Sequence, residues 1–368
     1  SSSRATLTQE ETEPQYLSAA KNYTSPEKLP DSLTIPSLFG PITVTEPLLV
    51  ELFSHPVLER LKEVDQHGAS TYFGKQPTFS RYEHSVGVFA ILRLKGASLI
   101  EQVAGLLHDT SHTVFSHLAD YLFKTGNTHA YQDMIHEWYL EKMNLAPLLA
   151  RYNLTIAELN PEKGAFPRLK QSHPHLSADR IEYIIHTGLV FGKITEADVA
   201  SMQKSLSFEE GFWHFASQED AETFSRLSLH FTEHFWGGAE NLAWRHWLCE
   251  AIKQAIALGI ITSNDLHFGA DQAILDRLAT SKDQHIKAAL AHCTKISCSY
   301  KIAHPDQQYD LIERQKVRIV DPLIKTKQNE PRAPLSHHSL AYKEAVAETK
   351  NRLARGIRII LSRSITAS

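Results

Sequence analysis

Two histidines and two aspartates in the first half of the chain have the types and spacing of a metal-binding set. His108 and Asp109 are adjacent, and His84 lies 24 residues before His108. Asp179 follows Asp109 by 70 residues. Two imidazoles and two carboxylates can hold one divalent transition metal and leave coordination positions for water and substrate. Such an open position allows Lewis-acid or metal-hydroxide chemistry, so the four residues predict a metal site that can react.

The segments that carry these four residues have helical patterns. The first helix is expected from the segment SRYEHSVGV to about Leu94, and the next from about Leu99 to His108. His108-Asp109 would then end that helix, where side chains can converge on a metal. Ser177 can cap a third helix, which carries Asp179. Three helices are therefore expected to meet at the site.

Further candidates for chemistry lie one turn away from the ligands. Arg81 precedes His84 by three residues, so the two share a helix face, and a guanidinium can bind phosphate oxygens in pairs. His112 stands four residues after His108, so a continuing helix would put both on one face. A histidine of near-neutral pKa is suited to move a proton. These groups could bind an anion and move a proton beside the metal.

The remaining pattern predicts a mainly α protein. HTVFSHLADYLF and HAYQDMIHEWYLEKM are expected as helices, and the chain from about 205 to 305 is expected to stay mainly helical. LIERQKVRIVDPLI alternates like a strand stopped by Pro322, residues 340–355 have a helical pattern, and GIRIILSRS reads as a final strand. We expect a flexible N-terminal tail over 1–35, a metal-binding core over 36–200, a helical accessory region over 201–308 and an α/β extension over 309–368.

Composition bounds the class of protein. The chain has 368 residues, 42% hydrophobic and 22% charged, which is ordinary for a soluble globular protein. A formal net charge of −4 makes nucleic acid an improbable partner. No apolar run approaches the length of a membrane-spanning helix. Three cysteines do not form a disulfide framework, which fits a reducing compartment and an expected cytoplasmic location.

Five ordered segments resemble the HD-domain metal phosphohydrolases, and within them the branch that contains the deoxynucleoside triphosphate triphosphohydrolases. These segments are LERLKEVDQHGASTYF, SRYEHSVGV, GLLHDTSHTVFSH, IHEWYL and ADRIEYIIH. They span about 120 residues in the family's order, and the KVRIVDPLI strand adds a weaker likeness near the C-terminus. The resemblance implies an HD-domain helical fold with a helical accessory region and a small C-terminal α/β extension.

The resemblance also assigns roles to individual residues. It implies that the metal ligands are His84, His108, Asp109 and Asp179, of which Asp179 also counts among the catalytic groups together with His112, His136 and Arg81. It further implies that the phosphate contacts are Arg81, Arg180 and His117, and that the sugar contacts are Gln66 and Tyr183. Two departures stand out: the usual Asp-Leu-Gly-His-Gly-Pro becomes Asp-Thr-Ser-His-Thr-Val over 109–114, and Thr187 stands where deoxynucleotide enzymes carry a further Asp.

The leading functional hypothesis is a phosphohydrolase that acts on a nucleotide phosphoester, with cleavage of a deoxynucleoside triphosphate to nucleoside and triphosphate as one form. A nucleotidase or cyclic-nucleotide phosphodiesterase would use the same site. A di-iron HD oxygenase would need His129 and His136 as additional ligands, and a non-catalytic nucleotide sensor would keep the site for binding alone. One divalent transition metal is expected, Mn, Fe, Co, Ni or Zn, with Mg accompanying the substrate as a further option. The family resemblance also implies a homo-oligomer.

Overall fold

The computed structural model describes residues 13–124, 130–163, 165–314 and 318–364. Helices dominate this part of the chain, which confirms the predicted mainly α class. His129, a predicted ligand of a second metal, lies outside the described residues. None of the described helices is long and apolar enough to cross a bilayer.

The N-terminal segment packs on the core. It contains helix α1 (Gln15–Lys21) and an antiparallel pair of short strands, β1 (Leu33–Ile35) and β2 (Ile42–Val44). Leu17 and Ala20 of α1 are buried against the first hydrophobic cluster. The prediction of a flexible tail is therefore wrong from α1 to β1, because two apolar positions one turn apart anchor this polar segment. Residues 1–12 lie outside the described residues.

The ligand-bearing core is a set of packed helices with short 3₁₀ turns. Its helices are α2 (Pro47–Leu52), α3 (Pro56–Glu59), α4 (Ala69–Gly74), α5 (Arg81–Leu94), α6 (Leu99–Leu107), α7 (Leu118–Leu122), α8 (Tyr131–Met134), α9 (His136–Lys142), α10 (Ala146–Arg151), α11 (Ala178–Val190) and α12 (Glu196–Ser205). The 3₁₀ turns are Arg60–Glu63 and Ala157–Leu159.

Helix α5 lies at the centre of this core. Its residues Val86 and Phe89 belong to one hydrophobic cluster, and Val88 and Ile91 belong to another. A helix that is apolar nearly all round is buried on all sides, which places His84 in the middle of the domain. Ser80 caps α5 with a reciprocal capping box, which fixes where the helix begins.

The second half of the chain adds helices and two small sheets. They are β3 (Leu206–Glu209), β4 (Phe212–Phe215), α13 (Gln218–Phe231), a π-helix (Thr232–Trp236), α14 (Ala239–Ala257), α15 (Ser263–Phe268), α16 (Asp271–Thr280), α17 (Gln284–Thr294), a 3₁₀ turn (Ile296–Cys298), β5 (Tyr300–Ile302), β6 (Leu311–Glu313), β7 (Leu323–Ile324), β8 (Ala333–Pro334), α18 (Leu335–His338), α19 (Leu340–Ala354) and β9 (Ile357–Leu361).

The strands form sheets in the orders β3-β4-β7-β8 and β5-β9-β6. Both sheets take strands from either side of residue 308, so the boundary expected there does not separate two sheets. The β3–β4 hairpin interrupts the region that was expected to stay helical. The expected strand LIERQKVRIVDPLI is wrong as one element, because β6 and β7 belong to different sheets and Pro322 precedes β7. The final helix and strand are confirmed as α19 and β9.

The turn after the His108-Asp109 pair differs from the expectation. Helix α6 ends at Leu107, and the next helix, α7, begins only at Leu118. Phe115, Ser116 and His117 have positive φ, which a continuing α-helix excludes. Their segment is held by distant groups instead: the Val114 amide donates to the Leu266 carbonyl at 3.0 Å. The segment HAYQDMIHEWYLEKM is likewise split, into α8 and α9, at Ile135.

Candidate metal centre

The structure brings the four predicted ligands together at one point. His84 Nε2 lies 2.9 Å from Asp179 Oδ1 and 3.5 Å from Asp109 Oδ2. His108 Nε2 lies 3.4 Å from both Asp109 Oδ1 and Asp179 Oδ1. His84, His108 and Asp109 are buried and form a group that could hold a metal ion. Three elements supply them, since α5, the end of α6 and the first turn of α11 converge here.

Both histidines present the same ring nitrogen to this point. His84 Nδ1 lies 2.8 Å from Glu182 Oε1, and His108 Nδ1 lies 2.6 Å from the Gly105 carbonyl. Each Nδ1 therefore carries the proton and donates it, and each Nε2 lone pair remains for a metal. His108 Nε2 is buried without a hydrogen-bond partner. An unpartnered buried nitrogen beside two carboxylates fits a divalent cation.

The electrostatics of the group also call for a cation. Burial opposes ionisation of Asp109, yet His108, His112 and Arg81 hold its pKa well below the usual range. Burial acts against the charged form of His84 as well, but Asp179 and Glu182 raise its pKa to about 10. In the absence of a metal the site thus retains a proton on His84. A divalent ion would take the place of that proton between the carboxylates.

Glu182 is the main site residue that sequence reasoning did not single out. Its side chain is fully buried and its carboxylate accepts from His84 Nδ1 and from His186 Nδ1, 3.0 Å from Oε2. Helix α5 leaves room for it at Gly87, where an added Cβ would lie 2.0 Å from Glu182 Oε2. The sequence shows Glu182 only as part of a family segment; its contact with His84 depends on how closely α5 and α11 approach.

Arg81 is buried and its guanidinium is committed to holding the site. Nη1 donates to Asp109 Oδ2 at 2.9 Å, Nε donates to Ser116 Oγ at 3.0 Å, and Nη2 donates to the Gln66 carbonyl at 3.1 Å. These bonds tie a ligand to the irregular turn and to the loop before α4. The predicted proximity of Arg81 to the ligands is therefore present, while a contact with phosphate stays a prediction.

A second buried arginine, also absent from the sequence-based set, supports the turn after Asp109. Arg60 is fully buried, and its Nη1 donates to the His112 carbonyl at 2.7 Å. Asp271 from α16 accepts from the Phe115 amide and from the Asp65 amide, both at 2.8 Å. These partners lie far away in sequence, so no local signal reveals them.

The three predicted histidines near the ligands are placed differently. His112 Nε2 lies 3.3 Å from Asp109 Oδ1, so His112 reaches the site through the turn and not through a continuing helix. His117 is exposed, and its ring lies edge-on to His112 with the centroids 5.3 Å apart. His136 is buried with Nε2 3.0 Å from the Leu107 carbonyl, which places it against the end of α6. Its catalytic role remains a prediction.

The other three predicted substrate contacts border the ligands. Tyr183 lies one turn after Asp179, with its ring centroid 6.3 Å from that of His84. Gln66 lies next to the Arg81 contact, and its side-chain Oε1 is buried without a partner. Arg180 is partly turned away, because Nη1 donates to the His175 carbonyl at 2.7 Å. The structure thus keeps Gln66 and Tyr183 beside the centre and anchors Arg180 at its edge.

Comparison with known proteins shows the family to which the chain belongs. The uncharacterised protein YdhJ of Bacillus subtilis is 30% identical over 279 residues, which cover 75% of this chain and 84% of YdhJ. The metal-dependent phosphohydrolase cns2 of Cordyceps militaris is 36% identical over 169 residues, 46% of this chain and 48% of cns2. The chain belongs to the HD-domain metal-dependent phosphohydrolases. As a member of this superfamily, it is a metal-dependent phosphoric ester hydrolase.

Other known proteins are similar to parts of the chain or to its fold. Human deoxynucleoside triphosphate triphosphohydrolase SAMHD1 is 28% identical over 130 residues, 29% of this chain and 21% of that protein. A phosphohydrolase structure from Bacteroides thetaiotaomicron superposes with a TM-score of 0.64 at 15% identity, covering 89% of this chain and 98% of that one. At that identity the superposition shows the fold alone. No protein-family model matches the chain.

Proposed function

We propose that this HD-domain phosphohydrolase hydrolyses a phosphoester of a nucleotide. One divalent transition metal, Mn, Fe, Co, Ni or Zn, would be held by His84, His108, Asp109 and Asp179. When bound, such a metal polarises a phosphoryl oxygen and lowers the pKa of a bound water. The observation that carries the nucleotide assignment is a polar and aromatic corridor that begins at Asp179.

The floor of the corridor is the surface of α11. Asp179, Tyr183, Thr187 and Phe191 follow one another at four-residue intervals, so each lies beside the next along the helix surface. Aromatic rings border this row. Trp236 meets Tyr183 edge-on with the ring centroids 5.3 Å apart. Such rings offer faces and edges to a nucleobase.

The opposite border is the loop before α4. The ring of His67 lies 6.2 Å from that of Phe191 and 5.0 Å from that of Phe235, measured between centroids. Phe235 and Trp236 belong to the π-helix, a local irregularity that is frequent at functional sites. The corridor residues on α11 are therefore bordered by the His67 loop and by the π-helix, which contact each other through His67 and Phe235.

Three polar atoms around the corridor are buried and have no partner. They are Gln66 Oε1, His67 Nε2 and Thr187 Oγ1. Leaving a buried polar atom unpaired costs about 1–3 kcal/mol, so a site of this kind is built for a ligand that supplies the missing bonds. Sugar hydroxyls can both donate and accept. A ligand with a phosphate at Asp179, a hydroxylated ring and an aromatic base satisfies the whole corridor.

The chain itself supports the chemistry at the phosphate end. Arg81 and the turn hold Asp109 in place, so the ligand carboxylate is oriented before substrate arrives. Burial, together with Arg81, lowers the pKa of His112 to about 3, so His112 is neutral at pH 7 and acts at this site through hydrogen bonds, such as the one to Asp109. His117, exposed beside it, is the side chain best placed to meet phosphate oxygens from the solvent side.

The region also carries positive charge suited to an anionic substrate. Lys170 is paired with Glu162 at 3.2 Å. Burial opposes its charge, but Asp133 and Asp179 raise the pKa of Lys170, so the ammonium persists near the ligands. Arg180 stands directly after Asp179. Together they offset the negative charge of the nearby carboxylates, which favours the approach of an anionic substrate.

Relatives named deoxynucleoside triphosphate triphosphohydrolase suggest one form of the reaction, release of intact triphosphate from a deoxynucleotide. Thr187 and His67 stand at the borders of the corridor and offer hydrogen bonds to additional hydroxyls. They therefore favour acceptance of ribonucleotides alongside deoxynucleotides. The homo-oligomer implied by the family resemblance belongs to this proposal as well.

Product analysis tests the proposal. The purified protein would be incubated with NTPs, dNTPs, nucleoside monophosphates, cyclic nucleotides and the simple phosphoester p-nitrophenyl phosphate, each with Mn, Fe(II), Co or Mg, and the products identified by liquid chromatography and mass spectrometry. Asp179→Ala is the inactive variant, and Asp306→Ala, in an exposed loop, is the matched control. Metal-dependent hydrolysis of a nucleotide that is lost in Asp179→Ala and retained in Asp306→Ala supports the proposal. Turnover of simple phosphoesters but of no nucleotide would refute the nucleotide assignment and leave the phosphohydrolase intact.

A further inference from the structure

A cleft of about 670 Å³ lies apart from the metal ligands. It is bordered by the β1–β2 segment, the outer side of α5, the second half of α11 and helix α12. None of the four metal ligands is among the described residues that line it. Its volume is within the range of small-molecule binding sites. The corridor and the catalytic chemistry do not use it.

The lining of the cleft selects for one kind of ligand. Its walls are largely apolar, with Leu38, Phe39 and Val199 among them. The charged side chains among the described lining residues are two carboxylates, Glu83 and Glu196, and no lysine or arginine lines it. Apolar walls with a negative rim disfavour phosphates and nucleotides. They favour an organic amine, whose body fills the apolar part and whose ammonium faces the carboxylates.

His186 gives the cleft a specific polar contact. The side chain lines the cleft yet is only 7% exposed. Its ring is stacked on Phe79, with centroids 3.7 Å apart and planes 5° from parallel, so its orientation is fixed. Nδ1 donates to the Glu182 carboxylate at 3.0 Å, which leaves the lone pair on Nε2. Nε2 has no hydrogen-bond partner within the described ranges and can accept an N–H from a ligand.

The same contact leads to the metal centre in two hydrogen bonds. Glu182 receives Nδ1–H from His186 and Nδ1–H from His84, whose Nε2 faces the other ligands. Gly87 keeps the Glu182 carboxylate tightly confined. A ligand that hydrogen-bonds to His186 therefore alters the hydrogen bonds of the Glu182 carboxylate. That carboxylate sets the orientation and basicity of His84.

We propose that this cleft is a regulatory site for an organic amine and that its occupancy is transmitted to the metal centre through His186, Glu182 and His84. The site differs from the corridor in position and in ligand charge. The inference does not depend on the nucleotide being the substrate, because it concerns binding at the cleft and its effect on the metal.

Two naphthalene compounds of similar shape and opposite charge test the proposal. The protein loaded with Co(II) is titrated with 2-(1-naphthyl)ethylamine and, separately, with 1-naphthylacetate, and binding is followed by calorimetry and by the visible absorption of the cobalt. The amine is expected to bind at least tenfold more tightly than the acid and to shift the cobalt band. Equal binding of both compounds, or amine binding that leaves the band unchanged, would overturn the proposal.

Variants locate the binding. Ala200→Trp, at an exposed position on the lining, fills the cleft and should abolish amine binding. Glu196→Gln should weaken it about fivefold, the effect of one partly exposed ion pair, while Glu219→Gln on the exposed surface of α13 serves as the control. His186→Phe retains a ring against Phe79 and should remove the cobalt shift. Unchanged affinity in Ala200→Trp, or a monomer–dimer change caused by that variant alone, would show that the cleft serves another purpose.

Discussion

Gly87→Ala should weaken metal binding although Gly87 is not a metal ligand. It lies three residues after the ligand His84 on helix α5. The new Cβ would lie 2.0 Å from Glu182 Oε2, 2.7 Å from Cδ and 2.8 Å from Cγ. All three atoms belong to one fully buried side chain held between His84 and His186. The carboxylate must therefore leave its place, and His84 loses the acceptor that fixes its tautomer. Loss of such a partner typically costs about 10- to 100-fold in metal affinity.

The expected loss of metal affinity distinguishes this argument from the effect that Gly→Ala has on helix stability in general. On propensity alone, Gly→Ala inside a helix stabilises by about 1 kcal/mol. Gly188→Ala in α11 is the matched control, because the nearest atoms to its Cβ would be apolar carbons of Leu227 and Ile194, the closest at 2.9 Å. Competition for Co(II) or Mn(II) against a chelator gives the dissociation constants. A Gly87→Ala protein that folds and binds metal within twofold of wild type would refute the assigned role of Glu182.

Three further substitutions test other parts of the account. Arg81→Lys keeps a charge near Asp109 but cannot reproduce the three donors, so kcat measured on any accepted substrate should fall about 10- to 100-fold; an unchanged kcat contradicts the positioning role. Burial lowers the pKa of His55 from 6.5 to about 4, so the unfolded chain binds the proton first and stability should fall as pH drops from about 6.5 to 4, by on the order of 3 kcal/mol. His55→Ser keeps a helix cap and should remove that share of the pH dependence in denaturant titrations; parallel curves for the two proteins would exclude it. Asp271→Asn replaces a carboxylate that accepts two main-chain amides and a tyrosine hydroxyl, and should lower the free energy of unfolding by about 1–3 kcal/mol at pH 7; no loss would contradict its role in holding the turn.

Local sequence signals were sufficient for the helices that carry the ligands. The serine before α5 and the serine before α11 mark where those helices begin, and both act as side-chain caps in the structure. The pair His108-Asp109 was expected at the end of a helix, and α6 ends at Leu107. These features depend on neighbours within four residues, which is the range that periodicity and capping reasoning covers.

The turn after Asp109 shows where that reasoning stops. Its amides bond to Leu266 and Asp271, about 150 residues further along the chain, and these bonds replace the helix that the local pattern predicts. The same holds for Glu182, whose partner on α5 becomes visible only once Gly87 is seen to admit it. Apolar periodicity also hid the β3–β4 hairpin, since a short aromatic run fits a helix or a strand equally well.

The placement of the candidate catalytic groups likewise needed three dimensions. His112 was expected on a continuing helix and instead reaches Asp109 Oδ1 through a tight turn. His136 matched a catalytic position in the resemblance, yet its ring bonds to the main chain at the end of α6. Spacing alone does not distinguish a histidine that faces the ligands from one that supports the helix behind them.

Stepwise metal titration of the metal-free protein tests the central claim most directly. After each addition, hydrolysis of the best phosphoester from the substrate panel is measured, and bound metal is quantified by inductively coupled plasma mass spectrometry. Wild type and Asp179→Ala are treated in the same way. The account predicts activity that rises linearly and reaches its plateau at one metal per chain, with neither activity nor bound metal in the variant. A plateau at two metals per chain, or full activity in Asp179→Ala, would contradict it.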